Sequence, residues 1–187
     1  PWETQWSRAK SRPYKKGKNY FINRGFMKKV VIYFSMTENT AYVAKKIAQL
    51  TGADLLSVEP VKNYPKKGPL KYFFCGMHAT RGINPELKPY DFDSSLYDTV
   101  IFASPVWASQ VAPPVKSFVE QNKENLKGKK FALYTGYRGN GAVKAAENFA
   151  KFLGIEKFEK HLFLTDPLQW ASPKKEAKIE EFCKSLI

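Results

Sequence analysis

A short polar run between an apolar segment and a helix-like segment is the first place where this sequence could do chemistry. The run is Ser35-Met36-Thr37-Glu38-Asn39-Thr40, which holds three hydroxyls and one amide. Hydroxyls can donate to phosphate oxygens, and the first N–H groups of a helix point at an anion that the helix dipole favours. Ser, Thr and Asn are also ordinary helix caps, so the run alone leaves a purely structural role open.

Two common nucleotide-binding patterns are missing from the sequence. The run contains no GxxxxGK[ST], the pattern of a loop that binds a nucleoside triphosphate with its lysine. No GxGxxG follows the first apolar segment, which argues against a dinucleotide-binding Rossmann unit. A phosphate held by hydroxyls and backbone amides is the interpretation that fits.

A second candidate segment, 103–109, follows a fully apolar run and contains one tryptophan, Trp107. A tryptophan just beyond the end of a buried strand could provide the flat apolar wall that a planar ligand needs. The alternative is a tryptophan buried in the core.

A third candidate segment is Thr135-Gly136-Tyr137-Arg138-Gly139-Asn140-Gly141. Its glycines would let backbone amides approach a ligand closely, and Tyr137 could stack on the face of a planar ligand opposite Trp107. Taken alone, the same pattern could be only a turn.

The elements that must position these segments alternate along the chain. From Met27 onward, short apolar strands and helix-like stretches follow one another, as in βαβ units with a parallel sheet. Strands are predicted over 29–34, 54–58, 99–103, 130–134 and 161–164. Helices are predicted over 39–50, 114–122, 142–152 and 173–186, and a short helix can fit within 70–80. This arrangement is an α/β three-layer sandwich in which the carboxyl ends of the strands bring the three segments together.

The same segments resemble the flavodoxin family. SMTENT is similar to that family's phosphate signature, a first strand followed by [ST]-x-T-x-[NG]-T, and SPVW resembles its strand-three exit. TGYRGNG stands where the family has its strand-four loop, but it departs from the acid-rich or Gly-Gly sequences common there. The resemblance covers about 160 residues, and this sequence lacks the insertion found in long-chain members of the family. The resemblance therefore implies a short-chain form with five parallel strands in the order 2-1-3-4-5.

The resemblance implies FMN as the cofactor. Carried over by position, the phosphate ligands are Ser35, Thr37, Asn39 and Thr40, with Met36 and Glu38 offering backbone N–H groups. The flavin ring contacts are Ser104, Pro105, Val106, Trp107 and Ala108 in the loop that lies against the isoalloxazine, and Thr135, Gly136, Tyr137 and Gly139 in the loop that contacts its pyrimidine edge. No catalytic side chain and no metal ligand is predicted, since the bound flavin itself would react.

Charge and composition divide the chain into two parts. Lys and Arg number 31 against 17 Asp and Glu, a net charge of +14. Residues 1–26 hold seven basic side chains and one acidic side chain, and they lack a helical or strand period. We interpret 1–26 as a basic extension that need not be native to the domain, and 27–187, with a net charge of +8, as the flavodoxin-like domain.

Three functions are compatible with these patterns. The first is a flavodoxin-type electron carrier whose partner is a redox protein, and the second is an NAD(P)H-dependent quinone or flavin reductase acting on a small acceptor. The third is a binding domain without catalysis. Two distant cysteines and no apolar run near the roughly 20 residues of a membrane span lead us to expect a cytoplasmic protein with no membrane contact. A nucleic-acid partner is not expected, although a basic and aromatic extension is compatible with one.

Overall fold

The structure, a computed structural model, describes residues 28–65 and 68–187. Six strands follow one another in this part of the chain: β1 (Lys29–Tyr33), β2 (Asp54–Ser57), β3 (Thr99–Trp107), β4 (Gln110–Val111), β5 (Lys130–Tyr137) and β6 (Lys160–Thr165). The helices are α1 (Asn39–Thr51), α2 (Pro69–Arg81), α3 (Pro113–Gln121), α4 (Ala142–Leu153) and α5 (Pro173–Lys184). Each predicted strand and helix is therefore present, including the helix predicted within 70–80.

Five of the strands form a parallel sheet in the order β2-β1-β3-β5-β6. The short β4 pairs antiparallel with the end of β3 and lies off this path. Counted without β4, the parallel strands have the order 2-1-3-4-5, so the predicted α/β architecture and strand order are confirmed. All five parallel strands present their carboxyl ends at one edge of the sheet, and the predicted site segments follow three of them.

Two apolar clusters hold the helices against the faces of the sheet. On one face, Val43 and Ile47 of α1 and Phe182 of α5 pack with buried residues of the strands. On the other face, Phe118 of α3 and Phe149 of α4 pack against the opposite side chains of the same strands. The central strands are apolar on both faces for this reason, which is typical of parallel sheets covered by helices.

The strands β3 and β5 run further than the sequence predicts. The apolar runs predict ends at Ala103 and Tyr134, but parallel pairing continues to Pro105↔Gly136. A proline can continue β3 here because the pairing of β1 with β3 stops at Ala103, so Pro105 has a neighbouring parallel strand on one side only. The segments predicted as loops therefore begin as strand.

The predicted basic extension, residues 1–26, lies outside the described residues. Among the helices of the described part of the chain, none combines the length and the apolar character needed to cross a membrane.

Candidate functional site

The turn between β1 and α1 presents its polar groups at the carboxyl edge of the sheet. Glu38 is the N-cap of α1 in a left-handed conformation, with φ of 62°, and its side chain accepts no capping hydrogen bond. Thr37 and Glu38 are exposed, and Met36 packs partly against the core. The first N–H groups of a helix have no partners within that helix, so those of α1 can meet a ligand here. The hydroxyls of this turn therefore do not simply serve as the N-cap of α1.

Ser35 and Thr40 line the inner side of this turn. The Ser35 hydroxyl oxygen is buried, and no described residue makes a hydrogen bond to it. Thr40, in the first turn of α1, is also buried. A buried hydroxyl without a partner costs free energy, so Ser35 fits a site that a polar ligand completes.

Asn39 connects this turn to the segment after β6. Its side-chain oxygen accepts a hydrogen bond from the backbone N–H of Leu168 at 3.0 Å, and its Nδ2 donates to Thr37 Oγ1 at 3.5 Å. Arg138, after β5, pairs with Asp166 and donates to Gln169 Oε1 at 2.7 Å. The segment 166–170 is thus held by both neighbouring loops.

The segment 166–170 is not among the site segments predicted from the sequence. Its position after the last parallel strand is the signal that could have found it, because every such position meets the same edge of the sheet.

Trp107 is half-buried at the end of β3 and is supported from behind by aromatic rings. Its ring lies 5.7 Å from that of Phe34 and 4.9 Å from that of Tyr64, edge-on in both cases. Tyr64 is buried, and burial raises the pKa of its phenol to about 12. Trp107 is therefore only partly buried, and its contacts with the two rings set its orientation. The part of the indole that is exposed is an apolar surface.

The rest of the β3 exit is a tight hairpin. Ser104 is buried, and its hydroxyl accepts a hydrogen bond from Ala112 N at 2.8 Å and donates to Pro105 O at 2.9 Å. Pro105 and Val106 are half-buried, and Ala108 is exposed at the tip. Ala108 and Ser109 have φ values of 47° and 57°, the left-handed pair that a two-residue hairpin requires. Ser104 therefore holds the hairpin together, and its predicted ligand contact would have to come through its backbone.

Some residues at the end of β5 are buried in the core, and others lie at the candidate site. Thr135 is buried, and its hydroxyl lies 2.9 Å from Nε2 of His161, whose pKa burial lowers to about 4. The Tyr137 ring lies 6.0 Å from that of Phe163 in β6. Gly136 is half-buried and Gly139 is exposed. The Thr135 hydroxyl is thus hydrogen-bonded to His161, and the Tyr137 ring packs near Phe163 of β6.

An open cavity of about 630 Å³ lies between the hairpin tip and the loop after β5. Ser109, Tyr137, Gly139, Gly141 and Phe163 are among the residues that line it. Its volume is within the range of small-molecule sites, about 300 to 1,000 Å³. Neither Trp107 nor any residue of 35–40 lines this cavity, so the polar turn, the aromatic wall and the cavity are separate features of this edge of the sheet.

The contact between the hairpin and the loop after β5 predicts a test of this geometry. A Cβ added at Gly141 would lie 2.7 Å from Ser109 Oγ and 3.4 Å from its Cα, and Gly141 has φ of 95°. Gly141→Ala should therefore lower the free energy of unfolding by about 2 kcal/mol, from backbone strain and the close contact together. In a Ser109→Gly background the contact is relieved, so the same substitution should cost about 0.5 kcal/mol less. Chemical denaturation of the four proteins measures the coupling, and equal costs in both backgrounds would contradict the described contact.

A family model described as a flavodoxin domain matches residues 82–170, the part of the chain from the end of α2 through the segment after β6. The strand order of the parallel sheet is the order expected of a flavodoxin-like fold. The chain has a flavodoxin-like fold. The resemblance predicted from the three segments is confirmed at the level of the fold.

Solved structures share this flavodoxin-like fold. A flavoprotein from Lactobacillus acidophilus, in complex with FMN, is 19% identical with a TM-score of 0.61, and the match covers 75% of this chain and 91% of that one. A Bacteroides eggerthii protein described as a flavoprotein is 21% identical with a TM-score of 0.68, over 86% and 98% of the two chains. A flavodoxin from the domain Archaea is 14% identical with a TM-score of 0.53, over 86% and 96%. No curated protein sequence matches the chain.

Proposed function

We propose that this chain binds FMN at the carboxyl edge of its sheet and acts as a flavodoxin-type electron carrier. The observation that carries the proposal is the buried Ser35 hydroxyl without a partner among the described residues, at the N-terminus of α1. The half-buried Trp107 lies at the same edge. A polar turn with an unpartnered buried hydroxyl and a nearby aromatic wall suit a cofactor with a phosphate at one end and a planar ring at the other.

The residues present fit the phosphate end of FMN. Ser35 and Thr40 are buried hydroxyls, Thr37 is an exposed one, and the first N–H groups of α1 add donors. Hydrogen bonds from such donors to a charged phosphate are stronger than neutral ones, and the helix dipole adds to the attraction. Ser35, Thr37 and Thr40 would hold the phosphate, while Asn39 shapes the turn through Leu168.

The residues at the β3 exit fit the ring end. Trp107, half-buried at the end of β3, would hold one face of the ring. When bound, FMN supplies transfer of one or two electrons, and the protein contributes binding, orientation and the electrical environment. The Lactobacillus acidophilus flavoprotein, which has the same fold, is a complex with FMN and so supports this choice of cofactor.

Exposed apolar side chains beside the phosphate turn support a carrier that docks against a partner protein. Leu168 and Trp170 are 48% and 53% exposed, and the Leu168 N–H is bonded to Asn39 in that turn. Large apolar side chains grouped on a surface mark sites of protein contact. A redox protein that docks here would come close to the cofactor.

The net charge favours a second candidate, an NAD(P)H-dependent quinone or flavin reductase. The chain has a net charge of +14, and residues 27–187 keep +8 of it. A basic surface attracts small anions such as a nicotinamide dinucleotide, as well as acidic partner proteins.

Spectroscopy of the purified chain tests both candidates. The protein is expressed, its absorption spectrum is recorded with and without added FMN, and the flavin-loaded protein is titrated anaerobically with NADH and NADPH. A flavin spectrum that neither nucleotide bleaches, with fast reduction by a redox protein, is the expected result. Rapid bleaching with quinone turnover would replace the carrier by the reductase. A colourless protein that ignores added FMN would overturn both and leave a binding domain without flavin.

A further inference from the structure

A second buried hydroxyl without a partner lies close to the phosphate turn. Tyr134 in β5 is 0% exposed, and no described residue makes a hydrogen bond to its phenol oxygen. The sequence patterns predict no role for Tyr134 beyond the strand. A phenylalanine would fill the same space without the cost of an unpaired hydroxyl, so the hydroxyl calls for a partner.

The surroundings of Gly136 show where the phenol oxygen points. A Cβ added at Gly136 would lie 3.1 Å from the Tyr134 hydroxyl and 3.6 Å from Thr40 Oγ1. The two hydroxyls therefore border the same small space beside the first turn of α1. Thr40 is one of the residues that would hold the phosphate.

The phenol can act only as a neutral donor and acceptor in this place. Burial raises the pKa of Tyr134, and the nearby Asp166 carboxylate raises it further, so the hydroxyl keeps its proton at neutral pH. Asp166 itself is paired with Arg138. A protonated phenol next to an anion site has its hydrogen available for the anion.

We propose that Tyr134 is a further binding residue of the phosphate site, whose phenol donates a hydrogen bond to the ligand phosphate beside Thr40. This inference rests on the proposed function, since the phosphate is that of FMN. It assigns a binding role to a residue of β5, which is not part of the polar turn.

The test compares Tyr134→Phe with Tyr33→Phe. Tyr33 lies in β1, and both tyrosines pair in register with Ala103 of β3, so Tyr33→Phe removes a phenol at the same level of the sheet. Dissociation constants for FMN and riboflavin are measured by flavin fluorescence quenching, and the melting temperature of each apoprotein is recorded.

Tyr134→Phe should weaken FMN binding about tenfold, because a hydrogen bond to a charged group is lost. Riboflavin, which has no phosphate, should bind within twofold of the parent protein. The apoprotein should melt at the same or a higher temperature, because the substitution removes an unpaired buried hydroxyl. Tyr33→Phe should leave the ratio of the two dissociation constants unchanged.

Three outcomes would overturn the inference. FMN affinity that is unchanged in Tyr134→Phe would show that the phenol does not contact the phosphate, and the proposed function would stand. Equal losses for FMN and riboflavin with a lower melting temperature would show a structural role. A parent protein that binds neither flavin would overturn the proposed function itself.

Discussion

Replacing Ser35 and Thr37 together by alanine is expected to weaken FMN binding about 100-fold and to leave riboflavin binding within twofold. Each hydroxyl would donate to a charged phosphate, and such hydrogen bonds contribute about 1.5 to 3 kcal/mol. Two of them correspond to a factor of about 100 or more in the dissociation constant. Riboflavin lacks the phosphate, so the loss should be confined to FMN. Flavin fluorescence titrations of the double variant measure both constants.

Thr51→Ala is the matched control for this double variant. Thr51 ends the same helix, and its hydroxyl donates to Ile47 O at 2.7 Å, away from the N-terminus of α1. This control removes a hydroxyl from the helix and should keep the preference for FMN. Asn39 is left intact in both proteins because its side chain also holds the segment 166–170 through Leu168. Parallel losses for FMN and riboflavin in the double variant would remove the phosphate assignment of this turn.

The strands and helices could be predicted because their evidence is local, whereas the strand order is implied by the resemblance to the flavodoxin family. Each parallel strand is a short apolar run next to a helix-like stretch, and short crossovers between parallel strands leave few possible topologies. The turn 35–40 could be predicted for the same reason, since its residues are adjacent in the sequence.

The ends of β3 and β5 depend on contacts between strands, which a single run of residues does not reveal. Pro105 is a residue type that usually ends a strand, and it continues β3 only because β1 no longer pairs beyond Ala103. Tyr64 supports Trp107 from a turn-rich segment far earlier in the chain. Leu168 meets Asn39 across 129 positions. Such pairs depend on the folded sheet, so local sequence patterns do not predict them.

The ring end and the phosphate end of the proposed site differ in whether their side chains have partners within the protein. Trp107 packs edge-on against Phe34 and Tyr64, so its orientation is set by protein contacts. The Ser35 and Tyr134 hydroxyls, by contrast, lack partners among the described residues. A buried hydroxyl without a hydrogen-bond partner lowers the stability of the fold. A bound phosphate would give both hydroxyls a partner, so phosphate binding should raise the free energy of unfolding. The ring end should contribute affinity without this preference for a charged group.

Trp107→Ala is accordingly expected to weaken FMN and riboflavin binding in parallel, by about 30-fold each. Stacking of a planar heterocycle on an aromatic side chain contributes about 1 to 3 kcal/mol, and both flavins have the same ring. The ratio of the two dissociation constants, measured by flavin fluorescence titration, should therefore stay at the value of the parent protein. Trp107→Phe should recover part of the loss, because it keeps an aromatic face against Phe34 and Tyr64.

Trp170→Ala is the control, since it removes a tryptophan that is 53% exposed in the segment after β6. It should leave both flavin affinities unchanged while it slows electron transfer to a partner that docks at this surface. If Trp107→Ala weakened FMN alone, the ring would have to bind elsewhere and Trp107 would act only through the phosphate turn. Affinity that did not change for either flavin would exclude the β3 exit as the ring wall, because a ring stacked on Trp107 cannot lose that contact without losing affinity.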